Sequence, residues 1–242
     1  MPSAQTIVFT GNRLLNAFHR VSREHILPHL ETVDAQAGEV LCEAGTIPKH
    51  AYFPDGAVIG LVNVMKDGRA IEIINIGREG EFGFLWGFHK RESFTRAVVR
   101  LPGIILRFGA DLLRREYERS EHIRAAYFRY AEAQIIQLEQ TLACNALHTT
   151  KQRFCRLLLT MSDKWDGESL PCTHELLAEA LGANRKSVTL AAQQLQKDGL
   201  IGYSRGRIKI LDRIGLEKHS CECYSVIKNS FGSYFRPAQD WA

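Results

Sequence analysis

Six lysines and arginines fall between Arg185 and Lys209 against one acid, Asp198, so this short stretch carries +5 while the whole 242-residue chain carries +4. Cations clustered this way suit an anionic partner such as a phosphate backbone. The residues around them have the order of a helix-turn-helix. Thr173 can cap a short first helix, Ala178 is small enough for a close helix crossing, and Gly182 permits the left-handed backbone of a tight turn. Asn184 is a good cap for a second helix, whose inward face is Val188, Ala191, Ala192 and Leu195 at helical spacing. Arg185, Lys186, Thr189 and Gln193 are left for the outer side, and such a helix enters the major groove by its first turns. Gly199 stops the helix, and two short strands joined at Arg205-Gly206 form a wing with Arg205, Arg207 and Lys209 around its tip. Thr173, Asn184, Arg185, Lys186, Ser187, Thr189, Gln193, Arg205 and Arg207 are therefore the candidate contacts to double-stranded DNA.

Two other stretches invite chemistry. His219-Ser220-Cys221-Glu222-Cys223 offers a Cys-x-Cys with a nearby histidine, three soft ligands in five residues. The plainer reading is a terminal helix with two buried, inert thiols, and on that reading no metal site is expected. The run Phe82-Gly83-Phe84-Leu85-Trp86-Gly87-Phe88 reads first as packing in a β-rich core and second as the wall of an apolar effector pocket. No phosphate-binding Walker loop, dinucleotide glycine fingerprint, nucleophile elbow or His-Glu-x-x-His pattern occurs, so an enzyme is not expected.

These residues need elements to hold them. Eleven of the 19 glycines lie between Gly38 and Gly109, among β-branched residues, and Asp67-Gly68 separates two alternating stretches as a hairpin does. Asp55-Gly56 and Leu101-Pro102-Gly103 are further turns, and the whole predicts an antiparallel barrel or roll. From Asp111 to Leu147 glycine vanishes. Phe128, Ala131, Ile135, Leu138 and Leu142 follow the three-four spacing of a coiled-coil seam, while Ile123, Tyr127 and Tyr130 mark another face. Two apolar faces need two covers. The β-rich part supplies one, and the other is either a second copy or more of the same chain; heptad regularity favours the second copy. A further helix is expected from Thr149 to Ser162, and the tail residues Phe231, Tyr234, Phe235 and Trp241 are aromatic enough to dock. With 45% hydrophobic and 24% charged residues the chain is globular, and no apolar run is long enough to span a membrane. The N-terminus lacks a secretory pattern, and six scattered cysteines read as reduced thiols of a cytoplasmic protein.

From Leu176 to Asp212 the sequence resembles the CRP/FNR family of bacterial transcription regulators, above all in Leu177-Ala178, Leu181-Gly182, Gly199-Leu200-Ile201, Gly206-Arg207-Ile208 and Leu211-Asp212. Ala37-Gly38-Glu39, Tyr52-Phe53-Pro54 and Ile76-Gly77-Arg78-Glu79-Gly80 match more loosely, which extends the resemblance over about residues 20–217. It implies an α+β chain with four parts: a cyclic-nucleotide-binding-like β-roll with N-terminal helices over 1–110, a long dimerisation helix over 111–147, a winged helix-turn-helix over 148–217 and a C-terminal extension over 218–242. It also implies a homodimer on a pseudo-palindromic operator, in contact with RNA polymerase. A sensory module that acts through a protein partner without DNA is the rival, and the basic wing argues against it.

The departures from the family are informative. Members that bind cyclic AMP hold it with a Gly-Glu pair and a later Arg-Ser pair, where this chain has Gly83-Phe84 and Thr95-Arg96. A shifted register offers Gly80-Glu81 and Arg96 instead. The candidate effector-pocket residues are thus Glu81, Phe82, Phe84, Trp86 and Arg96, the effector is unidentified, and a calorimetric titration should show no micromolar binding of cyclic AMP. The iron–sulfur branch needs cysteines near the N-terminus, but the first here is Cys42; nine histidines leave a haem branch open without marking an axial ligand, so no cofactor is indicated. In the recognition helix the family's Arg, Glu and second Arg are Arg185, Lys186 and Leu190. Arg185 can read guanine, Lys186 cannot accept from cytosine, and Leu190 can at most touch a thymine methyl, so the operator should differ from the best-known family sequence.

Overall fold

The computed structural model describes residues 10–18 and 20–234. The described residues open with α1 (Arg13–Asn16) and α2 (Arg20–Ile26), followed by a single 3-10 turn. Asn12 fixes this entry: its Oδ1 accepts from Leu15 N at 2.9 Å, and its Nδ2 donates to the carbonyls of Pro54 and Gly80. Seven strands follow: β1 (Glu31–Ala35), β2 (Val40–Cys42), β3 (His50–Pro54), β4 (Val58–Val64), β5 (Ala70–Ile76), β6 (Arg96–Leu101) and β7 (Gly103–Gly109). They form two antiparallel sheets, ordered β1-β7-β3 and β2-β6-β4-β5. Asp67-Gly68 turns β4 into β5, with Val64 opposite Ala70, as the alternation predicts. Gly103 starts the strand that changes sheets; a Cβ there would stand 2.7 Å from the Gly56 carbonyl carbon, so only glycine fits the corner. Between the sheets lie Ile59, Ile74, Ile76, Val99 and Ile105. The aromatic run contains the short helix α3 (Phe84–Phe88) between β5 and β6.

The expected helix over 111–147 is two helices, α4 (Ala110–Arg119) and α5 (Glu121–Leu147). Ser120 makes the break: its backbone is extended and its Oγ caps α5 by accepting from Ile123 N. Ile123, Tyr127 and Tyr130 are buried against the β-rich part, as the second apolar stripe required. A capping box at Thr149 starts α6 (Thr150–Lys164). Next come α7 (His174–Leu181), α8 (Arg185–Lys197), β8 (Ile201–Ser204) and β9 (Arg207–Ile210), then α9 (Arg213–His219) and α10 (Cys223–Tyr234). The stretch His219 to Cys223, expected as one terminal helix, is instead the break between α9 and α10, with Ser220 closing α9. Helix α10 returns along α5 and inserts Ile227 and Phe231 into the core of α1, α5 and the aromatic residues. Tyr234 ends α10, and Phe235 and Trp241 lie outside the described residues.

The architecture is α+β: antiparallel strands, a long helix and a C-terminal helix-turn-helix. The C-terminal part rests on the strands of its own chain. Lys164 Nζ reaches Glu79 at 2.6 Å and the Asn75 carbonyl at 2.7 Å, and Trp165 Nε1 donates to the Pro102 carbonyl at 2.9 Å. All six cysteines are free and buried.

Candidate nucleic-acid interface

The helix-turn-helix is built as its sequence demands. Thr173 Oγ1 accepts from Leu176 N at 3.2 Å and so starts α7. Gly182 ends it with φ +55°, and a Cβ there would meet Ile71 of β5 at 2.6 Å, so this glycine serves both the turn and the seat on the sheet. Asn184 Oδ1 accepts from Ser187 N at 2.8 Å and starts α8. Val188, Ala191, Ala192 and Leu195 are buried, and Arg185, Lys186, Leu190 and Gln193 are exposed. In the wing, Ser204 pairs with Arg207, and both turn residues take positive φ, Arg205 at 48° and Gly206 at 76°. That is the backbone of the tight hairpin turns whose twist matches their strands. Arg205 and Arg207 are exposed, and Arg207 Nε donates to Ser169 Oγ at 3.1 Å.

Two candidates are less available than the sequence suggests. Ser187 is half-buried. Thr189 Oγ1 donates to the Arg185 carbonyl at 2.9 Å and lies 3.0 Å from His174 Nδ1. His174 itself was missed by the sequence reading. Its ring stacks on Tyr203 of β8, with centroids 4.4 Å apart and planes at 16°, so one side chain ties α7, α8 and the wing together. Burial lowers its pKa, and the positive charge of Arg185 lowers it further, so the neutral ring that stacks on Tyr203 is favoured. Its only signal in sequence was its place just after the cap Thr173. Thr173 Cγ2 in turn would lie 3.5 Å from a Cβ at Gly206, which sets it beside the wing tip.

The strands enclose a cavity of about 240 Å³ against α3 and α5. Three of the five candidates, Glu81, Phe82 and Trp86, line it together with Tyr130, Gln134 and Leu138 of α5. The other two lie elsewhere. Phe84 packs into the core with Tyr127, their rings 4.4 Å apart, because α3 turns it away from the cavity. Arg96 is partly exposed at the start of β6, where its Nε donates to Glu43 at 2.7 Å. Among the described residues no lysine or arginine lines the cavity. Glu81 is buried, and a single backbone N–H, from Phe84 at 3.1 Å, supports its carboxylate. Burial therefore pushes its pKa up to about 8, which leaves the carboxyl largely protonated at neutral pH. Tyr130 hydroxyl donates to the Glu81 carbonyl at 2.8 Å and accepts from Glu81 N at 3.1 Å, so α5 is pinned to the cavity wall.

Residues 152–219 match the Crp-like helix-turn-helix domain. The chain thus carries a Crp-like helix-turn-helix and is similar to transcription regulators of CRP/FNR type. It is 27% identical over 197 residues to the transcriptional regulator SdrP of Thermus thermophilus, covering 78% of this chain and 93% of that protein. A solved CRP/FNR-family regulator from Thermus thermophilus is 25% identical with a TM-score of 0.55, covering 78% of this chain and 98% of the other. FixK2 from Bradyrhizobium japonicum shares the fold at a TM-score of 0.68 and 14% identity, over 79% of this chain and 98% of that one. Among the described residues no helix is long and apolar enough to cross a membrane.

Proposed function

We propose that the regulator works as a homodimer that reads a pseudo-palindromic operator through two copies of α8, and that a small, uncharged, mainly apolar molecule in the cavity controls it. One observation carries the reading: the chain leaves uncovered the two surfaces such a dimer needs. Phe128 is 69% exposed, Ile135 53% and Leu142 74%, along the seam of α5 that Ala131 and Leu138 complete. Apolar side chains at heptad spacing are stable in water when a second helix covers them. The exposed Arg185, Lys186 and Gln193 of α8 and the arginines of the wing form the other surface.

The cavity supports the choice of effector class. The diester of cyclic AMP needs a cation and donors, and Arg96 is spent on Glu43. A neutral Glu81 among Leu61, Ile73, Phe82 and Trp86 suits an apolar guest instead. Leu138 belongs to both the cavity wall and the seam, so a guest that shifts α5 is felt at the dimer interface. Selection of bound sequences from a random DNA pool tests the reading. An enriched inverted repeat with half-sites about one helical turn apart is expected. Enrichment of a single unrepeated site would rule out the dimeric arrangement, and DNA that leaves the protein entirely unretained would support a partner-only sensory role.

A further inference from the structure

Three of the six cysteines and one histidine converge away from both the cavity and α8. Cys144 sits near the end of α5, and His148, four residues on, closes that helix. Cys221 and Cys223 stand at the break before α10. Cys144 and Cys221 are 77 positions apart in sequence, yet their Sγ atoms are 3.5 Å apart. His148 Nδ1 lies 3.4 Å from Cys223 Sγ, and the four ligand atoms are all within 4.8 Å of one another. None of the three cysteines is more than 4% exposed.

These distances bring the four ligand atoms within reach of a single tetrahedral ion. Metal–sulfur bonds of about 2.3 Å and metal–nitrogen bonds of about 2.0 Å place the ligand atoms about 3.5–3.8 Å apart. An iron–sulfur cluster distributes its cysteines over different irons and spreads them wider than this group allows. The surroundings also fit. His148 Nε2 is 3.3 Å from the Glu222 carboxylate, the partner that fixes a metal-bound imidazole with its free nitrogen protonated. Gln140 Nε2 donates to Cys223 Sγ at 3.1 Å, as amides do to bound thiolates. Three thiolates and a neutral imidazole around a dication leave one negative charge, and the buried Arg156 of α6 supplies a positive charge that acts on Cys144. Among the described residues this is the one group of such ligands gathered around a common point.

We propose that Cys144, His148, Cys221 and Cys223 bind one zinc ion, in a Cys3His site that fastens the start of α10 to the end of α5. On binding, the thiol protons leave to solvent. His148 ligates through Nδ1 and keeps its proton on Nε2, where it donates to Glu222. No oxidant or reductant takes part. The site lies at the joint where α5 gives way to α6, so the ion braces the link between the long helix and the helix-turn-helix. Half of it was visible in the sequence as Cys221-Glu222-Cys223. His219, the histidine nearest in sequence, donates instead to the Gly215 carbonyl at 2.9 Å, and the histidine that completes the set is His148.

The test uses the full chain, purified with reductant and without chelator. Elemental analysis should find one zinc per chain. Cobalt exchanged into the wild-type protein should give the intense visible bands and the sulfur-to-cobalt charge transfer of a tetrahedral thiolate site. The pair C144S/C223S should lose the zinc, while C172S, which alters a thiol that burial, with the nearby Glu72, pushes up to about 12, should keep it. Glu222→Gln should keep the stoichiometry and the cobalt bands but weaken zinc about tenfold in competition with a chelating dye, because Glu222 positions the ligand and does not bind the ion. The wild-type cobalt spectrum and dye competition hold even if a variant misfolds. Less than a tenth of an equivalent of zinc after reconstitution, a cobalt spectrum without thiolate bands, full zinc in C144S/C223S, or a Cys144–Cys221 disulfide in reduced, anaerobic protein would each overturn the proposal.

Discussion

Arg185 opens α8, exposed on the turn that Asn184 caps, which is where a groove-bound helix meets base edges. Arg185→Ala should cost about 1–3 kcal/mol on a selected operator and relax preference at one base pair, as measured by fluorescence anisotropy on single-base variants. A uniform loss across all sequences would make Arg185 a phosphate contact. Glu81 carries a prediction about pH. Its pKa of about 8 in the fold exceeds the ordinary 4.5, so between those values the native chain holds a proton that the unfolded chain has released. Stability should therefore fall as pH rises through that window, by at most about 1.4 kcal/mol per pH unit from this group, and level off above it. Denaturant titrations of Glu81→Gln should show a shallower decline than wild type; identical slopes would mean that Glu81 is ionised in the fold. At this scale the sequence was most legible where local rules decide, as with the caps Thr173 and Asn184 and the turn glycine Gly182. It was least legible where the partner is remote. Nothing near Arg96 in sequence announced Glu43, and nothing near Thr189 announced His174, 15 positions away.

Among the elements, α5 shows what periodicity can and cannot deliver. Its two apolar faces and the seam were legible because heptad spacing is a local pattern, and the face of Ile123, Tyr127 and Tyr130 is buried while the seam is not. The break at Ser120 was not, because a serine inside a run of helix formers looks like an interior residue until its hydroxyl is seen on Ile123 N. Where the tail docks was hidden for a different reason: the place of α10 depends on α5, whose core it enters with Ile227 and Phe231. The seam predicts the effect of a charge. Ile135→Asp, at a side chain 53% exposed in the single chain, should leave the folded protomer intact and shift the protein from dimer to monomer in sedimentation equilibrium. A variant that stays dimeric at the same concentrations would move the interface off this helix.

On the scale of the whole molecule, the strands, the long helix and the helix-turn-helix are mechanically joined. Buried Arg100 of β6 bonds Glu72 of β5 at 2.7 Å and also reaches Glu179 of α7, so one guanidinium spans the sheet and the first helix of the DNA-reading unit. The same β5 lines the cavity through Ile73, Ile74 and Ile76. In the proposed dimer, a guest in the cavity would touch both α5, which carries the seam, and the strand on which α7 rests, a physical route from effector to spacing of the two α8 helices. This level of organisation was legible only as a family resemblance, since contacts such as Lys164 with Glu79 are 85 positions apart and leave no local trace. The proposed dimer holds its two α8 helices at one fixed separation. The most direct test takes the selected inverted repeat and measures affinity as the half-sites are moved apart by about five base pairs, half a helical turn, which puts the second half-site on the opposite face of the duplex. Affinity should fall at least to that of a single half-site. Unchanged affinity across the spacing series would contradict a fixed separation, because it would mean that each protomer reads DNA on its own.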